Sequence, residues 1–185
     1  MKDIIFFWAP GAGKGTQVEL LLAKLWDQVN WLSTGDVFRA IVSKPNAIWK
    51  YVEWRMNSGK LINDQVTMSL FNAYFFTVID DKKYMVLDGY PRTLVQLDAL
   101  MALCRDNHRE VLGIFFDLPE EESIKRIVWR GREWEDQSVI QKRMQEYNTL
   151  TKPIVDAFAK QWTLVTVDAM PSIEEIHGKV MEIIQ

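Results

Sequence analysis

Within the stretch FFWAPGAGKGTQ (6–17), Gly11, Gly13, Lys14, Gly15 and Thr16 fall inside six residues. These types at this spacing can hold phosphate. Glycines let the backbone bend so that successive N–H groups point inward at anionic oxygens. A helix starting at the loop adds its positive N-terminal end to the same anion. Lys14 can reach the outer phosphates of a nucleoside triphosphate. An ordinary glycine-rich turn accounts less well for strand, loop, Gly-Lys and helix in that order.

Such a loop needs elements to position it. Five short apolar runs read as strands: 3–9, 29–33, 84–88, 111–118 and 163–168. They are near-continuous rather than alternating, the pattern of strands buried on both faces. Helical spacing fills the gaps at 16–28, 64–79, 93–106, 119–130, 138–161 and 172–184, the last opening with Ser172 and Glu175 as a capping box. Alternating strands and helices predict an α/β fold with a parallel sheet covered on both faces. Ligands of such sheets bind beyond the carboxyl ends of the strands. Residues 9–16, 33–39, 88–93 and 118–132 would share that rim. Asp88 ends a strand there, and a water-mediated Mg²⁺ contact explains it better than a capping role.

Further stretches resemble the adenylate kinase family. The loop PGAGKGTQ has that family's form. STGDVFRA (33–40), GKLINDQV (59–66), DGYPRTLVQLDAL (88–100) and residues 125–158 match its AMP segment, base-closing segment, DG[FY]PRT signature, and lid with following helix. The resemblance spans essentially the whole chain, with its motifs in order. It implies a P-loop NTPase-type five-stranded parallel sheet with helices on both faces, forming a single domain over 1–185. A small helical AMP-binding insertion (about 33–62) and a short lid (about 129–137) are implied as well. The implied reaction is Mg²⁺-dependent transfer of a phosphoryl group from ATP to AMP, giving two ADP. Phosphoryl transfer is mostly positioning and charge neutralisation, and arginine's planar fork suits phosphate oxygens.

By the same resemblance, Gly11, Ala12, Gly13, Lys14, Gly15, Thr16, Arg126, Arg130 and Pro171 hold ATP. AMP falls to Thr34, Gly35, Arg39, Lys60, Leu61, Ile62, Gly89, Tyr90, Pro91, Arg92, Gln96, Arg132 and Arg143. Lys14, Arg92, Arg130, Arg132 and Arg143 are the implied catalytic set. Thr34 matches the AMP-specific form, against a UMP/CMP kinase, whose members tend to carry Ala there. Gln96 has the spacing of the adenine-reading glutamine, and an amide can both donate and accept. Backbone groups of 60–62 would complete that pocket. Arg55, Arg105 and Arg109 read as solvated charges, and His108 and His177 as surface or helix residues. Lacking the cysteines of long-lid relatives, the chain resembles the short-lid form, without zinc and monomeric.

The tryptophans break the pattern. The chain has 8 Trp and only 9 Gly in 185 residues, where average usage would give about a dozen or more glycines. Trp8 stands at the first glycine of the loop pattern, Trp49 and Trp129 where relatives often have glycine. Trp134 and Glu135 replace the acidic pair of the lid signature. Many of these tryptophans, though not Trp134, are expected to be glycine in the natural sequence, by codon reading or deliberate substitution. Plain TGG codons in a source with the standard code would end that idea. A tryptophan where φ must be positive conflicts with the backbone. The fold is nonetheless expected to survive, because the strand and helix patterns remain intact, and turnover to fall, chiefly through Trp8 near the phosphates and Trp134 at the lid. A binding protein that no longer catalyses is the reading of another class; intact Lys14, Arg92, Arg130, Arg132 and Arg143 weigh against it.

Bulk properties set outer limits. A net charge of −3 gives no general pull toward nucleic acid or anionic membrane. No apolar run approaches the ~20 residues of a membrane span. One cysteine, Cys104, forbids an internal disulfide framework and favours a reducing, cytoplasmic setting.

Overall fold

The computed structural model describes residues 2–131 and 136–184, with the side chain of Arg130 left out. Five strands form one parallel sheet: β1 (Asp3–Trp8), β2 (Val29–Ser33), β3 (Tyr84–Asp88), β4 (Val111–Asp117) and β5 (Thr163–Asp168). Their spatial order is β2-β3-β1-β4-β5, which puts the strand before the glycine loop at the centre.

Side chains alternate across a strand, and β1 shows what that does here. Ile4, Phe6 and Trp8 enter one apolar cluster with α1 (Lys14–Leu25) and α9 (Ile173–Ile184). Ile5 and Phe7 enter another with α4 (Asp64–Thr77), α5 (Leu94–Asp106) and α8 (Lys152–Ala159). Both faces are covered, so the strand has to be apolar throughout. A third, smaller cluster of Phe38, Val52 and Ile62 joins α2 (Thr34–Val42) to α3 (Trp49–Asn57). The remaining helices, α6 (Glu120–Arg130) and α7 (Gln137–Glu146), meet in a cluster built on Ile127, Ile140 and Met144. Among the described residues no helix is long and apolar enough to cross a membrane.

The strands agree with the sequence pattern within a residue at each end. The helix expected over 138–161 is interrupted: α7 ends at Glu146, a π turn spans Tyr147–Thr151, and α8 follows. Pro153 in the first turn of α8 has no N–H for an i−4 bond, so a continuous ladder cannot pass through it. The capping box of α9 is formed: Ser172 N–H donates to Glu175 Oε2 at 3.0 Å, and Glu175 N–H to Ser172 Oγ at 3.3 Å.

Two arginines are not the solvated charges they resemble in sequence. Arg109 donates to both oxygens of buried Asp3, from Nε at 2.6 Å and Nη2 at 2.8 Å. Arg55 Nε donates to the Leu61 carbonyl at 2.7 Å. His177 is buried in α9, and burial holds its imidazole below the ordinary value. Cys104 is buried, its thiol pushed up to about 12 by burial. The feared conflict at Trp8 is absent. Among the described non-glycine residues only His108 has positive φ, and Trp8 is the last residue of an extended strand, with its ring in the core.

Candidate active site

The carboxyl ends of the strands open onto a cleft of about 1090 Å³, at the upper end of what a single drug-sized ligand needs. The loop 9–13 bends through Gly11 (φ +93) and Gly13 (φ +78) into α1. A Cβ on Gly11 would lie 2.5 Å from the Ser123 carbonyl oxygen, because α6 packs directly on the loop. Ser123 Oγ donates to the Pro10 carbonyl and ties the two together. The first-turn N–H groups of a helix have no intrahelical partner, and Lys14, Gly15 and Thr16 all line the cleft.

Lys14 Nζ lies 2.8 Å from Asp88 Oδ1, at the end of the adjacent strand β3. Burial pushes the lysine below its ordinary pKa; Asp88 opposes this, while Arg92 and Arg39 add to it. After Asp88 the chain turns through Gly89 (φ +75), where a Cβ would lie 2.9 Å from both Arg92 Nη2 and Thr34 Oγ1. Arg92 Nε donates to the Gly89 carbonyl at 2.9 Å, and its backbone N–H to Gln96 Oε1 at 2.7 Å. Burial lowers the Arg92 pKa, yet arginine starts so high that it stays charged. Arg39 pairs with Asp36 on α2, and both line the cleft. Arg126 Nε donates to Glu122 Oε1 at 3.0 Å and Nη1 to the Ala169 carbonyl at 2.9 Å, beside Pro171.

The cleft gathers nearly the whole expected set: Gly11 to Thr16, Thr34, Gly35, Arg39, Lys60 to Ile62, Asp88, Gly89, Pro91, Arg92, Gln96, Arg126, Arg143 and Pro171. Tyr90 is not in the cleft wall. It is 1% exposed and stacked on Phe71 with ring centres 4.5 Å apart. Arg132, Trp134 and Glu135 lie outside the described residues, as does the Arg130 side chain.

Several expected base-reading groups already have partners. Thr34 Oγ1 donates to the Gly89 carbonyl at 2.8 Å, which leaves its lone pairs for an acceptor role. Gln96 Nε2 donates to Asp64 Oδ1 at 2.7 Å; each end of the amide keeps one further valence. Lys60 N–H donates to the Arg55 carbonyl at 3.0 Å, and Leu61 N–H to Glu146 Oε2 at 3.1 Å. Asp64, Arg55, Glu146 and Thr151 are the residues that sequence reasoning missed. Asp64 also accepts from Thr93 Oγ1 at 3.0 Å, and Thr151 Oγ1 donates to the Arg92 carbonyl at 3.2 Å. The partners of Asp64, Glu146 and Thr151 lie 29 or more residues away, so no local spacing could have revealed them, whereas Arg55 reaches Leu61 only six residues on.

Asp88 and the Thr16 hydroxyl are hard oxygen donors of the kind Mg²⁺ takes. The described residues contain no group of three or more His, Cys, Asp or Glu suited to holding an ion. That donor set fits Mg²⁺ that keeps its waters and is carried mainly by substrate phosphates.

A parallel sheet whose central strand ends in a glycine–lysine cradle, in a cleft also lined by Arg39, Arg92, Arg126 and Arg143, defines a nucleotide-binding phosphotransferase architecture. The family model described as "Adenylate kinase" matches residues 6–163. Proteins named adenylate kinase align over nearly full length. One from Leptospira biflexa is 32% identical over 98% of this chain and 99% of its own. One from Nocardia farcinica is 34% identical over 96% of each, and one from Bacteroides fragilis 31% over 97% and 96%. The chain belongs to the adenylate kinase family.

Proposed function

We propose that the chain catalyses ATP + AMP ⇌ 2 ADP. The observation that carries this is one cleft lined both by the Lys14 loop and by Arg39, Arg92 and Gln96. Two anionic nucleotides can thus meet with their phosphates at the same strand ends. A phosphate oxygen of AMP attacks the γ-phosphorus of ATP in line. The bond from that phosphorus to the β,γ-bridging oxygen breaks, and its electron pair stays on the departing ADP. No protein nucleophile is needed.

Lys14 neutralises charge on the β- and γ-phosphates. Arg39 and Arg92 fix the AMP phosphate. Arg126, Arg130 and Pro171 serve ATP, Arg132 and Arg143 serve the group in flight, and Arg130 joins them in the catalytic set. Mg²⁺ bound with ATP, near Asp88 through water, would further offset phosphate charge. Thr34 and the spare valences of Gln96 face the acceptor base, with backbone groups of 60–62. Residues 33–62 act as the AMP-binding insertion of a single domain, supported by their separate apolar cluster, and 129–137 as the lid. The working unit is a monomer, since one chain supplies both sides of the cleft. A reducing, cytoplasmic setting suits its lone buried thiol.

The test is a coupled assay with ATP as donor and AMP, CMP, UMP or GMP as acceptor. AMP should be preferred. Faster transfer to UMP or CMP would reassign the acceptor, and no transfer to any of them would reduce the chain to a nucleotide binder.

A further inference from the structure

Lys14 touches more than Asp88 at the floor of the cleft. Its Nζ lies 5.1 Å from the centre of the Trp8 ring, on the ring face. That ring is held in place. Phe6 stacks on it with centres 5.3 Å apart and planes 20° apart, and Phe116 leans against it at 5.5 Å. Strand register explains the placement. Phe6 stands opposite Asp88, and Trp8 follows two residues later on the same face of the sheet. A carboxylate and an aromatic face therefore reach one ammonium from neighbouring strands.

The residues flanking Lys14, Gly13 and Gly15, carry no side chains that could hold its ammonium. Burial, Arg92 and Arg39 all work against its charge, with Asp88 opposing them. An indole face attracts a cation through its quadrupole, and more strongly where water is excluded. Core packing accounts for a buried ring at position 8, but it does not call for that ring's face to meet an ammonium.

We propose that Trp8 is a positioning residue for phosphoryl transfer: its indole face holds the Lys14 ammonium beside Asp88 and toward the cleft. This rests on reading the cleft as the ATP site. It reverses the expectation that a bulky ring here obstructs the loop.

Three measurements test it. In the wild-type, nucleotide-free chain, NMR of the Lys14 side chain should show an upfield ring-current shift of its Hε protons; its absence overturns the proposal without any variant. Trp8→Leu should lower the Lys14 titration by about half a pH unit, and Trp8→Phe should restore most of it. Equal titration in Trp8→Leu and wild type overturns the proposal. ATP binding completes the set. Trp8→Leu should weaken it about 3- to 10-fold in the wild-type background and not at all beside Lys14→Met. Equal weakening in both backgrounds, or tighter binding and faster turnover in Trp8→Gly, means the ring is only packing or obstruction and overturns the proposal. If the wild-type chain binds no ATP, the nucleotide reading fails instead, and the two lysine measurements decide Trp8 by themselves.

Discussion

The two ends of the sheet each bury a carboxylate beside a cation, and they use it differently. At the amino end, Asp3 is 3% exposed and its oxygens are taken by Arg109 at 2.6 and 2.8 Å and by Met85 N–H at 2.7 Å. At the carboxyl end, Asp88 is equally buried but meets the single ammonium of Lys14 at 2.8 Å. Lys14 sits on a cleft wall with two arginines pressing against its charge. Burial of an ion pair therefore says little about its role. A pair whose hydrogen bonds are satisfied from all sides locks strands together. One whose cation faces an open cleft among other cations is arranged for an anion that comes and goes.

Breaking each pair separately is the sharpest probe of this contrast. Arg109→Met leaves Asp3 buried and uncompensated, which should cost about 3–5 kcal/mol of stability. Denaturant unfolding should show that loss, while turnover per folded molecule stays within about twofold because Arg109 lies at the far end from the cleft. Lys14→Met should do the reverse. Its kcat should fall about 10²- to 10³-fold, the cost of losing one preorganised charge-stabilising group. Its melting temperature should move less than that of Arg109→Met, because Asp88 and Lys14 line the cleft and removing the ammonium opens Asp88 to water there. If both variants lost stability and activity in parallel, the two ends would not differ in kind.

Glycines sharpen the comparison at smaller scale. Gly89→Ala forces a side chain into φ +75 and within 2.9 Å of Arg92 Nη2 and Thr34 Oγ1. About 1–3 kcal/mol of stability should be lost, with a drop in AMP affinity as Arg92 shifts. Gly178→Ala in α9, where an added Cβ meets nothing within 4 Å, should instead stabilise by up to about 1 kcal/mol.

The smallest effect concerns pH. The His177 pKa is lowered from 6.5 in the fold, chiefly by burial and further by Lys24. The unfolded chain thus takes up the proton first as pH falls, so this contribution to stability is intact above pH 6.5 and lost below it. Melting temperatures between about pH 7.5 and 5 should decline less steeply in His177→Gln than in the parent.

Much of this was legible in the sequence. The strands were, because a strand covered on both faces has to be apolar along its length, as β1 and β3 are. The cradle was, because its glycines and lysine act through local backbone geometry. The break between α7 and α8 was not. Both flanking segments keep helical spacing, and Pro153 alone does not say whether a helix stops, kinks or passes through a π turn, as it does at 147–151. Nor were the ties that hold the site. Asp64 supports Gln96 across 32 residues, and Glu146 reaches Leu61 across 85. Arg109 resembled a surface charge until the chain ends of β1 and β4 came together. Trp8 misled differently. Counted against a motif it stands in a glycine's place, but in an extended strand it needs no positive φ and finds two aromatic neighbours.

Everything assigned to the carboxyl end depends on phosphoryl transfer occurring there. Phosphorus NMR of ATP and AMP with the purified chain tests this most directly, run in parallel with Lys14→Met. The account predicts that ADP resonances grow at the expense of ATP with the parent chain and grow at least a hundredfold more slowly, ~10² or beyond, with the variant. No ADP from the parent, or equal rates from both, would contradict it.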